Sequence, residues 1–315
     1  MPTLDLSVII CTHNPRKAYL DRTLEALLEQ TVPTDRWELI LVDNASSQAV
    51  AGLFDISWNP HGRHVLEREL GLASARQRGI LESSGQLLVF VDDDNVLAPD
   101  YLAEALRIEK DCRFLGAWGS GSISLEFEVN PSDHLKSFLP WLGLREFEKA
   151  TWSNAIGFSG ATPIGAGLCV RRRIGEAYVE FSKSSSTKIS GRKGASLGGH
   201  EDFEICYLAC NAGLGMGVFP TLKILHLIAK ERVTDRHILK LVEDSHLSHY
   251  VLENKWMGTL PSSPFSLRGA PAIALNLLRR RGFERLVYFA ELRAIMATRR
   301  MLLPTVPHSA GRDSS

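Results

Sequence analysis

Three consecutive carboxylates, Asp92, Asp93 and Asp94, follow an apolar run that ends at Val91. Adjacent carboxylates repel one another, so the triplet needs a cation or several hydrogen-bond donors beside it. Hard oxygen ligands at the end of a strand suit Mg²⁺ or Mn²⁺, and either ion can in turn bind substrate phosphates. The alternative is a solvated turn that caps a helix beginning near Pro99. The triplet by itself leaves both interpretations open.

Polar residues also follow two earlier apolar runs. Thr12 follows the run 6–11, and Asp43 follows the run 37–42. Residues 17–30 and the segment LGLASARQRGILESS carry apolar positions at helical spacing. This alternation of strands and helices predicts a parallel sheet with crossover helices. Ligands bind beyond the carboxyl ends of such strands, so we expect the three polar clusters to converge on one rim.

The rest of the chain has a less regular pattern. Residues 112–180 predict short strands and aromatic loops, and the Ser-, Gly- and Lys-rich segment 182–200 predicts a mobile loop. Helices are expected over 201–211 and 234–256, and a tail follows over 269–303.

Composition excludes several classes of protein. The chain has 315 residues, 44% of them hydrophobic, which suits one large domain or two small ones. Its 36 basic and 36 acidic residues cancel, so no general attraction to nucleic acid is predicted. No apolar stretch approaches the ~20 residues of a spanning helix, and the N-terminus does not resemble a signal peptide. The five cysteines show no zinc-like double pair, and we expect Cys206 and Cys210 to be packing residues in a cytoplasmic protein.

Five motifs occur in a characteristic order: SVIICTHNP, LVDNAS, GLASARQRGI, FVDDDN and GHEDFEIC. Together they resemble the family 2 nucleotide-sugar glycosyltransferases with a GT-A fold, over roughly residues 5 to 230. Each motif alone is weak, whereas five in order are specific. The resemblance implies an α/β fold with a Rossmann-like, mostly parallel central sheet flanked by helices. It also implies sugar transfer from a nucleoside diphosphate, mostly with inversion, and a divalent metal (Mn²⁺ or Mg²⁺) held by a DxD-type motif.

The resemblance implies six donor-binding residues: Thr12, Asn14, Asp43, Arg76, Asp92 and Asp93. Asp43 would accept hydrogen bonds from the base or ribose, or would otherwise cap the next helix. Arg76 would reach the base or phosphates, or would otherwise be an exposed helix arginine. Gln77 stands where the family usually has Asn, which leaves the assignment of Arg76 unaffected.

The metal and the catalytic base are assigned in the same way. Asp94 would ligate the metal, and His226 lies where the family often adds a histidine near it. A packed core histidine is the alternative for His226. Asp202 matches the base that takes the proton of the acceptor hydroxyl, with Glu201 the next candidate. Acids in the first turn of a helix also interact favourably with its dipole, which is the alternative for both.

Three further residues are implied on the acceptor side or in a loop. Gly165 resembles a segment beneath the acceptor site, or simply allows close packing. Arg192 and Lys193 would meet the donor phosphates. His246 and His249 lie three apart without a third ligand, so a solvated or packed helix face is expected for them.

The tail is strongly basic. It carries eight arginines between 268 and 300 against Glu284 and Glu291, with apolar residues interleaved. It could lie on an anionic membrane surface or pack on the catalytic domain or a second subunit. The expected organisation is a catalytic domain over 1–232, divided near 111, then a helical extension over 233–303. Residues 304–315 are expected to be a disordered tail.

The sequence therefore predicts a metal-dependent, inverting glycosyltransferase. It would move a sugar, with UDP-sugar the first guess, to a saccharide, glycan or lipid-linked acceptor in the synthesis of a surface polysaccharide or glycoconjugate. The expected location is the cytoplasm or the inner face of the plasma membrane. A nucleotidyltransferase is one alternative, but CTHNP is not the glycine- and lysine-rich loop it requires. A non-catalytic nucleotide-sugar-binding protein is the other, and the intact Asp94 and Asp202 argue against it.

Overall fold

The computed structural model describes residues 4–185, 197–264 and 269–303. In chain order its strands are β1 (Leu6–Thr12), β2 (Trp37–Asn44), β3 (Arg63–Glu67), β4 (Leu87–Asp92), β5 (Asn95–Leu97), β6 (Leu115–Phe127), β7 (Arg145–Glu146), β8 (Thr151–Ser153), β9 (Leu168–Arg171) and β10 (Gly215–Ile228). Its α-helices are α1 (Lys17–Leu28), α2 (Leu72–Glu82), α3 (Tyr101–Asp111), α4 (Arg172–Ser184), α5 (Glu201–Asn211), α6 (Asp235–Met257), α7 (Gly269–Arg279) and α8 (Gly282–Leu302). A 3₁₀-helical segment spans Asp133–Leu142.

All ten strands belong to one sheet. Its main order is β3-β2-β1-β4-β9-β6-β10-β5, with β7 on β6 and β8 on β10. The four strands from β3 to β4 are parallel, as are β6 and β10, whereas β9 and β5 run antiparallel to their neighbours. The prediction of a Rossmann-like, mostly parallel sheet flanked by helices is confirmed.

The three strands predicted first lie side by side, and their register brings the polar ends together. Thr12 pairs with Asp43 across β1 and β2, and Cys11 pairs with Asp92 across β1 and β4. These strands are continuous apolar runs because both of their faces are covered by helices. The predicted convergence of the polar clusters on one rim is therefore confirmed.

Two apolar cores cover the two faces of the sheet. One packs α1 and α3 against residues such as Val8 and Leu39. The other packs α2, α4 and α5 against Ile9, Ile40 and Phe90. The alternation of Val8 and Ile9 between the cores follows from the two-residue period of a strand. The sheet thus holds the helices on both faces in fixed positions relative to its rim.

The expectation of only short strands and loops over 112–180 is wrong. β6 is a 13-residue strand, and α4 follows β9 directly. The long strand is hard to recognise because three of its residues are glycines, and at each of them a neighbouring atom crowds a side chain. A Cβ would lie 2.7 Å from Ala209 at Gly116, 2.9 Å from Pro163 at Gly119 and 2.7 Å from the backbone of Phe219 at Gly121. The last turn of α4 also replaces the start of the loop predicted over 182–200. Residues 186–196 of that loop lie outside the described residues.

The C-terminal helices form a third core with the 3₁₀ segment. Ile238, Val242, Val287 and Ala290 pack with Leu135 in this cluster. The buried face of α8 therefore packs on the rest of the chain, as one of the two alternatives for the tail predicted. Among the residues that the structure describes, no helix is long and apolar enough to cross a bilayer. The predicted tail over 304–315 lies outside the described residues.

Candidate functional site

The ends of β1, β2 and β4 are joined by side-chain hydrogen bonds. The Thr12 hydroxyl donates to the Asp93 carboxylate. The Asp43 carboxylate accepts from the backbone nitrogens of Ser46 (2.9 Å) and Val50 (3.1 Å). Burial by itself would raise the pKa of Asp43, but these hydrogen bonds outweigh it and lower the pKa. Asp43 thus caps the turn after β2, in line with the capping alternative for this residue.

Backbone strain is concentrated at the same rim. In the described chain, the non-glycine residues with left-handed φ angles are Asn14 (52°), Ala45 (55°) and His200 (74°). Asn14 follows β1, Ala45 follows β2, and His200 precedes α5. The Asn14 side-chain oxygen accepts from the backbone nitrogen of Ser47 at 2.8 Å, which ties the first two loops together. Such conformations are costly and tend to occur at functional sites.

Asp94 and His226 face each other across β5 and β10. His226 pairs with Asn95 in the antiparallel ladder, and its Nε2 atom lies 3.3 Å from Oδ2 of Asp94. Arg232 contacts both residues, with Nη1 at 2.9 Å from Asp94 Oδ2 and 3.1 Å from His226 Nε2. The side chain of Arg232 therefore neutralises the carboxylate that the sequence assigns to a metal.

The Asp94–His226 pair fits a divalent cation. Two ligands that bind one cation at about 2.0–2.2 Å in neighbouring octahedral positions are themselves roughly 3 Å apart. No three His, Cys, Asp or Glu side chains in the described part of the chain cluster closely enough to hold a metal by themselves. The remaining ligands would have to come from donor phosphates and water. A nitrogen in the ligand set favours Mn²⁺ over Mg²⁺.

Asp93 is half-buried next to this pair. Burial and the neighbouring Asp94 charge raise the pKa of Asp93 to about 7, against the opposing hydrogen bond from Thr12. Asp93 is thus held by β1 and Thr12, in keeping with a position beside the metal rather than on it.

Arg76 is buried at the centre of the site. Its Nη1 atom lies 2.9 Å from Oε1 of Glu201, its Nη2 atom lies 3.5 Å from Oδ1 of Asp92, and its guanidinium lies over the ring of Phe90. The side chain is 3% exposed, so the alternative of an exposed helix arginine is wrong. Arg76 links the end of β4 to the start of α5. Glu201 is occupied by this ion pair.

Asp202 is fixed by two backbone donors. Its Oδ2 atom accepts from the nitrogen of Gly165 at 2.7 Å, and Oδ1 accepts from the nitrogen of Phe203 at 2.9 Å. A Cβ atom on Gly165 would lie 2.4 Å from Nη2 of Arg76, so close packing also requires this glycine. Gly165 therefore packs closely against Arg76, as the packing alternative predicted, and its backbone nitrogen contacts Asp202; its assignment to the acceptor side stays a prediction.

A cavity of about 620 Å³ lies in front of these residues. One wall contains predicted site residues: Arg76, Asp92, Gly165, Glu201, Asp202 and His226. The rest of the wall includes residues that the sequence did not single out as ligands: Trp141, Arg145, Phe158, Arg232, His246 and His249. Of the predicted site residues that the structure describes, five do not line this cavity: Thr12, Asn14, Asp43, Asp93 and Asp94. Arg192 and Lys193 lie outside the described residues.

The histidines of α6 are packed, as expected, but they also line the cavity. His249 packs against the rings of Phe158 and Tyr250, and His246 packs against Trp141. Burial lowers the pKa of His249, although the Glu253 charge opposes this. The helical spacing of the two histidines was the only sequence signal. No local sequence pattern indicated that residues of α6 line the cavity.

The fold of the chain is similar to that of a solved structure. A mannosyltransferase from Pyrobaculum calidifontis, solved in complex with GDP-Man and Mn²⁺, matches over 94% of this chain and 87% of that chain. The TM-score is 0.54 and the sequence identity is 15%, so the likeness shows a shared fold. That fold is GT-A, as the motifs predicted.

The family follows from the sequence. Residues 7–154 match the family model described as Glycosyl transferase family 2. A validoxylamine A glucosyltransferase from Streptomyces hygroscopicus is 35% identical over 105 residues, which are 32% of this chain and 24% of that protein. The glycosyltransferase AglE from Haloferax volcanii is 32% identical over 92 residues, which are 28% of this chain and 30% of that protein. The sequence of residues 7–154 is therefore similar to glycosyltransferase family 2, and the chain spans less than half the length of these relatives.

Proposed function

We propose that the protein transfers a sugar from a nucleoside-diphosphate donor to an acceptor hydroxyl inside the 620 Å³ cavity. The observation that carries this proposal is Asp202, whose carboxylate lines the cavity while two backbone nitrogens hold both of its oxygens. A carboxylate in a fixed position suits a general base for a weakly acidic hydroxyl. The mannosyltransferase with the same fold was solved with a nucleoside-diphosphate sugar, which supports that class of donor.

Different residues of the chain have different roles in this proposed reaction. An Asp202 oxygen takes the proton of the acceptor hydroxyl as the hydroxyl oxygen attacks the anomeric carbon from the face opposite the nucleotide. The bond from that carbon to the diphosphate oxygen breaks, the nucleoside diphosphate leaves with the bonding electrons, and the configuration inverts. Arg76 and Gly165 keep Asp202 in place through Glu201 and a backbone N–H group. Asp94 and His226 would hold the metal, which when bound neutralises the charge that develops on the leaving diphosphate. Arg232 must move away from Asp94 as that cation binds, because the two positive charges repel.

Donor binding with and without Mn²⁺ tests the proposal. UDP-, GDP- and dTDP-sugars are titrated calorimetrically into the wild-type protein, Asp94→Asn and the control Asp100→Asn. Asp100 is exposed at the start of α3 and makes no side-chain cap. We expect one class of donor to bind only with Mn²⁺, and Asp94→Asn to weaken that binding about tenfold or more. Metal-independent binding that is equal in all three proteins would contradict the metal assignment.

Turnover separates the enzyme from a non-catalytic binding protein. A transferase hydrolyses its donor slowly in the absence of acceptor and requires the metal for it. A nucleotide-sugar sensor binds the same donor without releasing nucleoside diphosphate. Wild-type protein that binds a donor with Mn²⁺ yet never releases the diphosphate would contradict the enzyme assignment and leave donor binding intact.

We further propose that α8 contacts an anionic membrane surface, which would suit a lipid-linked acceptor at the inner face of the plasma membrane. Leu286, Phe289, Arg293, Met296 and Arg300 are spaced three or four residues apart and are all exposed. The outward face of a helix is ordinarily polar, whereas this one alternates apolar and basic residues. This composition complements the apolar interior and anionic headgroups of a bilayer.

Sedimentation with lipid vesicles tests the membrane contact. Wild-type protein should sediment with phosphatidylserine-containing vesicles at low salt, and less so with phosphatidylcholine alone. Phe289→Ser should reduce sedimentation, and Leu66→Ser, at an exposed position on β3, should leave it unchanged. Wild-type protein that stays in the supernatant with anionic vesicles at low salt would contradict the proposal.

A further inference from the structure

Arg145 lies in the cavity wall as a consequence of a chain reversal. The 3₁₀ segment ends at Gly143, whose φ angle of 94° is left-handed. The chain then forms β7, in which Arg145 pairs with Ile123 of β6. The side chain is half-buried, its guanidinium lies 5.7 Å from the centre of the Phe147 ring, and it lines the same cavity as Asp202.

Arg145 differs from the other two arginines of this cavity. Arg76 is paired with Glu201 at 2.9 Å, and Arg232 is paired with Asp94 at 2.9 Å. Arg145 has no carboxylate within 4.0 Å in the described parts of the chain, and its one protein hydrogen bond there is a long one, 3.4 Å to the carbonyl of Thr162. Since a guanidinium has five N–H donors, most of those of Arg145 have no protein acceptor among the residues that the structure describes.

An arginine in this situation is costly to maintain. A charged group that loses water without gaining an ion pair destabilises the folded state. Burial lowers the pKa of Arg145, and the Asp202 charge opposes that shift from beyond ion-pair distance. A ligand anion beside Arg145 would supply the missing partner, and it would lie close to Asp202.

We infer that Arg145 binds an anionic group, a carboxylate or a phosphate, on the acceptor. This inference rests on the proposed function, because the acceptor hydroxyl must reach Asp202 and a group beside Arg145 would then belong to the same molecule. Trp141 and Phe158 are partly exposed aromatic rings of the same cavity wall and suit the apolar face of a sugar ring. The acceptor class is therefore an acidic saccharide.

Anion binding to the UDP–Mn²⁺ complex tests the inference. Inorganic phosphate and acetate stand for the two anionic groups, and glucose is the neutral probe, all titrated by ligand-detected NMR. We expect saturable binding of at least one anion, weakened about tenfold or more in Arg145→Gln because a hydrogen-bonded charge pair is lost. Arg145→Lys should retain part of that binding, since it keeps the charge but loses the planar fork. Binding of phosphate would indicate a phosphate-bearing acceptor, and binding of acetate would indicate a carboxylate-bearing one.

The control is Arg107→Gln, which removes an exposed arginine of α3 that pairs with Glu104 and should leave anion binding unchanged. Arg145→Gln should not lower the melting temperature, because it removes a half-buried charge that has no carboxylate partner in the described parts of the chain. Anion binding that is absent, or equal in wild type and Arg145→Gln, would overturn the inference. So would loss of UDP affinity in Arg145→Gln, which would make Arg145 a ligand of the donor phosphates. Failure of the wild type to bind UDP or another nucleoside diphosphate with Mn²⁺ would instead overturn the proposed function itself.

Discussion

The Nη1 atom of Arg76 lies 2.9 Å from Oε1 of Glu201, and each side chain is only 3% exposed. This ion pair joins α2 to the first residue of α5, and the next residue is Asp202. Because Nη2 of Arg76 also lies 3.5 Å from Asp92, one guanidinium connects the acidic end of β4 with the proposed base. The end of β4 and the start of α5 are therefore positioned by the same buried charge.

Glu201→Gln should strongly destabilise the protein. The substitution leaves Arg76 buried with only the more distant Asp92, and the loss of one partner from a buried ion pair costs ~3–5 kcal/mol. The free energy of unfolding is measured by urea denaturation. Glu180→Gln is the control, since Glu180 pairs with Lys183 on an exposed face of α4 and should change stability by less than ~1 kcal/mol. Equal effects of the two substitutions would contradict a structural role for the Arg76–Glu201 pair.

Gly165→Ala should impair both stability and turnover. The new methyl group would lie 2.4 Å from Nη2 of Arg76, so that the guanidinium or the loop must shift, at a cost of ~1–3 kcal/mol. Gly160→Ala is the matched control, because a Cβ atom there meets nothing within 4 Å. Thermal melting and donor turnover are compared in the two variants. If Gly165→Ala behaves like Gly160→Ala, the contact between the loop and Arg76 is not required.

Asp202→Asn should bind donor and metal almost normally but turn over roughly 10²–10⁴-fold more slowly, because the amide cannot accept the acceptor proton. If Asp202 only interacts favourably with the dipole of α5, the variant should instead lose ~0.3–1 kcal/mol of stability and keep its activity. Asp235→Asn provides the comparison, since Asp235 lies in the first turn of α6 and is exposed. Melting temperature and turnover are measured on the same preparations. Near-normal turnover in Asp202→Asn would mean that Asp202 is only an acid in the first turn of α5 and is not the base.

Arg232→Gln should tighten the binding of Mn²⁺ in the absence of nucleotide. The guanidinium neutralises Asp94 at 2.9 Å, and removal of a competing charge pair worth ~1 kcal/mol corresponds to roughly fivefold in affinity. Free Mn²⁺ is measured by electron paramagnetic resonance. Arg22→Gln, in an exposed pair with Glu126, should show no change. Weaker binding of Mn²⁺ in Arg232→Gln would mean that Arg232 supports the site rather than competes for it.

The parts of the site that follow from the sequence are those that depend on local periodicity. β1, β2 and β4 are continuous apolar runs, and parallel strands bring their carboxyl ends to one rim. The helix that begins at Glu201 was predictable from its apolar spacing and from Gly213, whose φ angle of 77° ends it. The placement of Asp94 and Asp202 next to these elements could thus be predicted, whereas their roles as metal ligand and base came from the family resemblance and stay predictions.

The remaining features depend on contacts between distant segments. The glycines of β6 made this strand hard to recognise from the sequence. The helix α4 did carry a recognisable helical spacing in Ile174 and Tyr178, which are both buried. The surroundings of Arg145 depend on the reversal at Gly143 and on the pairing with β6, 22 residues earlier in the chain. No periodicity within a short window reports such long-range contacts. Arg76 was recognised as a site residue, but its burial between Asp92 and Glu201 required the fold.

The passage of α6 across the cavity has a consequence for how relatives of this protein can diverge. His246 and His249 line the cavity from a helix that begins 81 residues after the segment matched by the family model, which ends at residue 154. The proposed metal pair is held instead by β4, β5 and β10. A chimera that exchanges α6 and the helices after it, and retains Asp94, His226 and Asp202, would have a different cavity wall on the α6 side. The residues proposed to take part in the reaction would be unchanged. The part of the cavity wall that α6 forms can therefore vary separately from the proposed reacting groups, on a portion of the gene that encodes none of them.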